Sequence, residues 1–281
     1  MSKQTLTTRR KKILEDLDGV HYDYTEIPSI TDYCGDIKAA IVPPLLPGIG
    51  TEEAKRIGQQ SYFDTGDGLE YFIRMAQDRG MDADLFRDAL HESYHVTQWE
   101  RMTVDFPHLF HRCDATVASY TRLQTHGVAH GLVTQSCLQT WAIPLLTSQG
   151  KIGFYRQEAL GGFRESGWFR KKDSPEPVLR GMKRMDAAPE ELVFIEDNLD
   201  NIETAKTISG DILTVFISRK PLDPVTAQKR GVDIHVPDLK SFYNMAANAL
   251  DAAPPVKAAP RSHEDPVHEG PVFAHAIPLI P

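Results

Sequence analysis

The sequence predicts an α/β fold with a doubly wound, Rossmann-like parallel sheet. Short, wholly apolar runs such as Leu192-Val193-Phe194-Ile195 suit strands covered on both faces. Helix-length segments alternate with them along the second half of the chain, as a parallel sheet requires. Acidic and hydroxyl residues follow several of these runs directly, and in a doubly wound sheet ligands bind at the carboxyl ends of the strands.

The elements follow in order. Ile13-Leu14 reads as a strand ending at the acidic cluster Asp16 to Asp18. Residues 21–105 depart from the alternation, with a loop-rich start punctuated by Pro28, Pro43, Pro44 and Pro47 and then helices over 51–60, 68–79 and 82–96. In the second of these Leu69, Phe72, Ile73 and Ala76 recur at helical spacing, and Gly80 stands where a C-terminal cap belongs. Residues 115–124 read as helix, 129–134 as strand and 138–146 as helix. Ser174-Pro175-Glu176 opens another helix with a hydroxyl, a first-turn proline and an acid near the positive dipole end. Residues 200–208 are helical and 212–217 form the next strand. From Asp251 the Ala- and Pro-rich composition predicts a flexible tail over 251–281.

With 281 residues, 41% of them hydrophobic and 25% charged, the chain can bury a full core. Its formal charge of -8 repels phosphate backbones and disfavours a nucleic-acid polymer as partner. Cys34, Cys113 and Cys137 are odd in number and widely spaced, which suggests neither a disulfide framework nor a zinc knuckle. Arg9 to Lys12 are followed by only two apolar residues, and no run approaches the roughly 18 that a membrane span needs. A cytoplasmic protein without a membrane partner is expected.

Four sites carry chemistry. In Asp16-Leu17-Asp18-Gly19-Val20 two carboxylates alternate along an extended backbone and face one side, and the glycine permits a tight turn. Such a pair can hold a cation and attack an electrophile, although D-x-D-G alone is more often an exposed turn. Thr134, Gln135 and Ser136 end a buried-type strand with hydroxyls and amides that suit a phosphate oxygen. Lys172 precedes a helix start, where an ammonium can offset phosphoryl charge, with Lys171 as its neighbour. Glu196 and Asp197 follow the apolar run 192–195 as hard oxygen ligands suited to Mg²⁺; Asn198 or Asp200 there could equally cap a helix.

Taken in order, Asp16-x-Asp18-Gly19, Thr134, Lys172 and Glu196-Asp197 resemble the four motifs of the haloacid dehalogenase-like (HAD) hydrolase superfamily, over roughly residues 12–240. The resemblance implies a core from 1–20 and 106–250 and a helical C1 cap over 21–105, inserted after the first strand. The segment Tyr62-Phe63-Asp64-Thr65-Gly66-Asp67-Gly68-Leu69 looks like the pyrimidine 5′-nucleotidase branch. The implied activity is Mg²⁺-dependent hydrolysis of a small phosphorylated metabolite. A nucleoside monophosphate is the first expectation, a sugar or carboxylic-acid phosphate the second. Asp16 would be the nucleophile and Asp18 the acid–base. Thr134, Gln135 and Lys172 would hold the phosphate, and Asp16, Asp18 (through its carbonyl), Glu196 and Asp197 the metal.

Phosphomutase or dehalogenase chemistry on the same fold, and a non-catalytic phospho-ligand binder, are the alternatives. The acid at position 18 favours phosphate esters over halides. Lys11, Lys12 and Glu15 depart from the apolar first strand of the family, and Gln135 replaces its usual Asn. Turned inward, Glu15 would raise the pKa of the nucleophile. His91-Glu92-Ser93-Tyr94-His95 fits the zinc-protease pattern H-E-x-x-H, but Gln98 and Arg101 occupy the positions where a third ligand's glycine and histidine belong. A cap helix with two surface histidines, either able to touch substrate, is the plainer expectation.

Overall fold

The computed structural model describes residues 10–171 and 173–252. Six parallel strands form one sheet in the order β3-β2-β1-β4-β5-β6, made of β1 (Lys12–Glu15), β2 (Ala129–Val133), β3 (Tyr155–Gly161), β4 (Leu192–Glu196), β5 (Leu213–Ile217) and β6 (Ile234–Val236). β1 lies between β2 and β4, with Glu15 opposite Leu132 on one side and Ile195 on the other. That register brings Asp16, Thr134 and Glu196 to one carboxyl edge, where the chain order of the sheet reverses.

Strand alternation supplies two apolar faces. Ile13, Leu132, Val193, Ile195 and Val215 enter one core cluster, which α5 (Asp114–Thr125) and α10 (Leu239–Asp251) cover. Leu14, Val133, Phe194 and Phe216 enter the other, beneath α7 (Glu176–Arg184) and α8 (Leu199–Ile208). The hydrophilic first strand is accommodated at its start by Lys12, whose ammonium lies 2.9 Å from Glu191.

Between β1 and α5 stand four α-helices: α1 (Ile30–Leu45), α2 (Thr51–Thr65), α3 (Glu70–Asp78) and α4 (Ala83–Asp105). They enclose an apolar core of their own, with Val42, Leu46, Phe72 and Leu90 at its centre. At its far end α4 joins the main core through Met102, so the inserted helices are anchored to the sheet layer.

Several elements differ from the sequence reading. α1 replaces the loop-rich start, because Pro43 and Pro44 fall in its last turn and leave the preceding hydrogen bonds intact. α2 runs to Thr65, so Tyr62, Phe63 and Asp64 end a helix. α4 continues to Asp105, past the expected stop at 96. β3, β6, α9 (Pro224–Lys229) and α10 carried no distinct sequence signal, and α6 (Ile143–Ser148) is preceded by a wide helical turn at Leu138–Ala142. Asp251, read as the start of the tail, closes α10 and pairs with Arg122 and His126. The remainder of that tail, from 253, lies outside the described residues. No described helix is long and apolar enough to cross a membrane.

Candidate active site

Asp16 follows β1, with its backbone N–H donating to the Ile195 carbonyl at 2.9 Å. Across that junction Glu196 and Asp197 leave β4, and ligand oxygens of Asp16, Glu196 and Asp197 lie within 4.8 Å of one another. The far-separated acidic pairs of the sequence therefore converge. Gly19 makes the approach possible: its φ is +77°, and a Cβ there would sit 1.9 Å from Asp197 Oδ2. Any side chain at this position would be strained and would displace the carboxylate.

The lysine in this cluster is Lys171. Its Nζ lies 2.7 Å from Asp16 Oδ1 and 2.7 Å from Glu196 Oε2, and the residue is buried. Lys172, on which the sequence reading placed the phosphate-holding role, lies outside the described residues. Glu196 Oε1 accepts from the backbone N–H groups of Asp197 and Asn198 at 3.0 and 3.2 Å.

Charge in the cluster is unbalanced. Burial opposes the Lys171 charge, but Asp16 and Glu196 outweigh it and raise the ammonium pKa. Burial, then Glu196, pushes Asp16 well above the carboxylate range despite Lys171. Burial likewise raises Glu196, and with Asp16 nearby it takes Asp197 up to about 7. Three carboxylates share one ammonium, and their hard oxygens are the donor set that Mg²⁺ takes. The residues present fit such a cation, which would reverse the upward shifts.

Asp18 is half-buried and turned differently. Its carboxylate accepts from Trp141 Nε1 at 2.7 Å, Tyr22 Oη at 2.8 Å, Ser136 Oγ at 2.5 Å and, at the limit, Thr134 Oγ1 at 3.5 Å. The metal-type oxygen group does not include this side chain. Acid–base service by Asp18 requires it to exchange some of these donors. Thr134 is buried at the end of β2, its hydroxyl accepting from Ser136 N at 3.1 Å, whereas Gln135 is exposed to the open space beside the acids.

Glu15 does not reach the site. As the strand neighbour of Asp16 it projects from the opposite face. There its carboxylate accepts from Tyr155 at 2.6 Å, Tyr120 at 2.8 Å, His130 at 2.8 Å and His21 at 3.0 Å. Burial opposes its charge, yet the hydrogen bonds from His130 and His21 hold it well below the usual range. Lys151 donates to His21 Nδ1 at 3.2 Å and to Gln149 at 2.7 Å. Burial and Lys151 together push His21 down to about 4, so a neutral imidazole links the ammonium to Glu15. The feared second acid is sequestered in its own polar layer.

Two open spaces meet at Asp18, Tyr24, Tyr62 and Gln135. One, of about 560 Å³, contains the acids and Lys171. The other, of about 910 Å³, extends under the inserted helices. His91 and His95 line the second space. They are buried rather than surface histidines: His91 packs on Phe163 at 4.8 Å between centroids, and His95 Nδ1 bonds the His91 carbonyl at 2.7 Å. Among the described residues they join no cluster of metal ligands.

Sequence reasoning missed Trp141 and Tyr22, and it named Lys171 only as the neighbour of Lys172 and Ser136 only as a strand-end hydroxyl. Trp141 lies on a helical segment whose apolar pattern marks it as core, and its indole N–H is the one feature that asks for a buried acceptor.

The sheet order, the helices inserted after β1 and the acid pairs at the carboxyl edge define the class: the fold is that of the haloacid dehalogenase-like hydrolases. Among solved structures it is similar to a HAD hydrolase of family IA, variant 3, from Entamoeba histolytica, with a TM-score of 0.54 at 14% identity over 85% of this chain and 98% of that one. It is also similar to beta-phosphoglucomutase from Clostridium difficile, with a TM-score of 0.51 at 14% identity over 86% and 99%. A dehalogenase solved with an intermediate complex gives 0.50 at 13% identity over 86% and 99%. No family model matches the chain, and no curated protein matches it in sequence.

Proposed function

We propose that this chain is a Mg²⁺-dependent phosphatase that hydrolyses a small phosphomonoester through an aspartyl-phosphate on Asp16. One observation carries the reading: the Asp16 carboxylate meets Lys171, Glu196 and Asp197 at the mouth of a cavity. A nucleophile, a fixed cation and a pair of cation-holding acids at one sheet edge are the parts that in-line phosphoryl transfer needs.

Asp16 attacks phosphorus and the bond to the leaving oxygen breaks. Asp18 gives that oxygen a proton, then accepts one from the water that attacks the aspartyl-phosphate, releasing inorganic phosphate and restoring Asp16. Lys171 holds Asp16 in place and offsets charge on the transferred group, and Thr134 and Gln135 would bind its oxygens. A Mg²⁺ held by Asp16, Glu196 and Asp197 would supply Lewis-acid compensation of phosphoryl charge. The inserted helices act as the cap that selects the leaving group, and the cavity beneath them has room for one much larger than a simple alcohol.

The test is phosphate release from p-nitrophenyl phosphate and from a panel of metabolite phosphates, with and without Mg²⁺. Turnover should depend on Mg²⁺ and fall by at least ~10³-fold in Asp16→Asn with the fold unchanged by circular dichroism. Full activity in Asp16→Asn would remove the proposal. Transfer of phosphate to a second hydroxyl without net release would assign the site to a mutase.

A further inference from the structure

Lys38 is a buried lysine in the wall of the cap cavity, placed there at some cost. It projects from α1 and is 5% exposed. Its stem passes between two glycines. A Cβ at Gly58, in α2, would lie 2.3 Å from Lys38 Cδ, and one at Gly68 would lie 2.7 Å from Nζ. Both positions have to be side-chain-free for the ammonium to reach the cavity.

Once there, the ammonium is poorly served. Its protein hydrogen bond is a 3.3 Å contact to the Cys34 carbonyl, and the Tyr94 ring lies 5.3 Å away. Burial depresses its pKa, and Asp67 acts on it only from beyond ion-pair distance. The other cations along this wall are engaged: Arg87 with Asp84 at 2.9 Å, and Arg170 with Asp173. His91 and His95 are both pushed down to about 4 by burial and stand neutral at pH 7. A buried ammonium with donors to spare, facing a cavity, marks the place where a ligand's charge completes the pair.

We infer that Lys38 recognises a carboxylate carried on the leaving part of the substrate. This rests on the phosphatase reading for the same site and adds the substrate class, favouring a phosphorylated hydroxy acid over a nucleoside monophosphate. Along a wall that also carries Asp67, Arg87 and Arg170, Lys38 is the cation without an ion-pair partner among the described residues, and a single ammonium matches one negative charge. A second phosphate would bring two charges and ask for several donors.

Phosphorylated ω-hydroxy carboxylic acids of two to six carbons, each paired with the diol monophosphate of equal length, test the inference. At one length or more, wild type should prefer the acid by ~10–100-fold in kcat/KM, the range that a charged hydrogen bond contributes. Lys38→Met keeps the stem between the glycines and should abolish that preference, lowering kcat/KM on the acid far more than on the diol monophosphate. Gly58→Ala, which pushes the stem aside with its charge intact, should weaken the preference as well. No preference at any length, or an equal loss on both substrates in Lys38→Met, overturns the assignment. Binding of the same pairs, followed by tryptophan fluorescence, decides the matter independently of turnover: carboxylate-dependent affinity lost in Lys38→Met supports it, and equal affinity overturns it. Absence of phosphate release from every substrate, p-nitrophenyl phosphate included, counts against the phosphatase reading alone.

Discussion

Lys171 illustrates how much one side chain can carry. It is the fixed positive charge among two buried carboxylates and one half-buried one, bonded to the buried pair at 2.7 Å. Lys171→Met should lower phosphatase turnover by ~10²–10³-fold, as loss of one charge-stabilising donor does, and should lower thermal stability in the absence of Mg²⁺ because the carboxylates lose their counter-charge. Lys172→Met, assayed beside it, distinguishes the two neighbours: the larger loss belongs to Lys171. Glu15 and Asp16 make the complementary point. Two adjacent acids on one strand face opposite sides, so one can enter a layer of histidines and tyrosines that holds it charged while the other faces carboxylates that resist its charge.

Among the elements, α4 ties the inserted helices together. Its first half packs Phe86 and Leu90 into their own apolar core, and its last turns reach the main core through Met102. Along its length it turns His91, Tyr94, His95 and Gln98 toward the cavity. Its start depends on Asp82, whose carboxylate accepts from Asp84 N and Leu85 N at 3.0 Å each. Asp82→Ala should cost about 1 kcal/mol, seen as a midpoint lowered by about 2–4 °C in thermal denaturation, with the Mg²⁺ requirement unchanged. Opposite α4, the segment after β3 presents Phe163 and Trp168, stacked with centroids 4.4 Å apart against His91. Trp168 has a φ of +65°, a conformation that costs a non-glycine residue roughly 1–2 kcal/mol and that the contacts with His91 and Arg87 repay.

At the scale of the molecule, buried histidines give stability a pH dependence. His21, His91 and His95 each have a folded pKa of about 4, against 6.5 for the free side chain. Between those values the unfolded chain binds protons that the folded chain refuses. Stability is therefore intact above pH 6.5 and lost as pH falls toward 4, on the order of 1–3 kcal/mol per histidine at the foot of the window. Asp197 works in the opposite sense between its free value and about 7, because there the folded state holds the proton more tightly. The histidine share is read by comparing wild type with His91→Gln/His95→Gln: the wild-type advantage in denaturation midpoint should shrink from pH 7 to pH 4. A constant difference would mean that the two imidazoles are not kept neutral.

The fold class and the acids of the site were legible in the sequence, because both rest on local patterns. A strand buried on both faces must be continuously apolar, as 192–195 is, and acids placed directly after such strands must emerge at the sheet's carboxyl edge. The four-part order from Asp16 to Asp197 needed only that rule. α1 was hidden because Pro43 and Pro44 read as helix breakers, yet they fall in its last turn and interrupt only the bonds at its end. Direction and partnership were decided by packing alone. Lys171 is the described lysine that reaches the acids, and of two consecutive acids the one facing that cluster is Asp16. Lys38 reaches the cap cavity only because two glycines, 20 and 30 positions further along the chain, come to rest beside its stem. Period and composition assign a residue to an element; which neighbour its side chain meets depends on contacts between segments far apart in the chain, and those exist only once the molecule has folded.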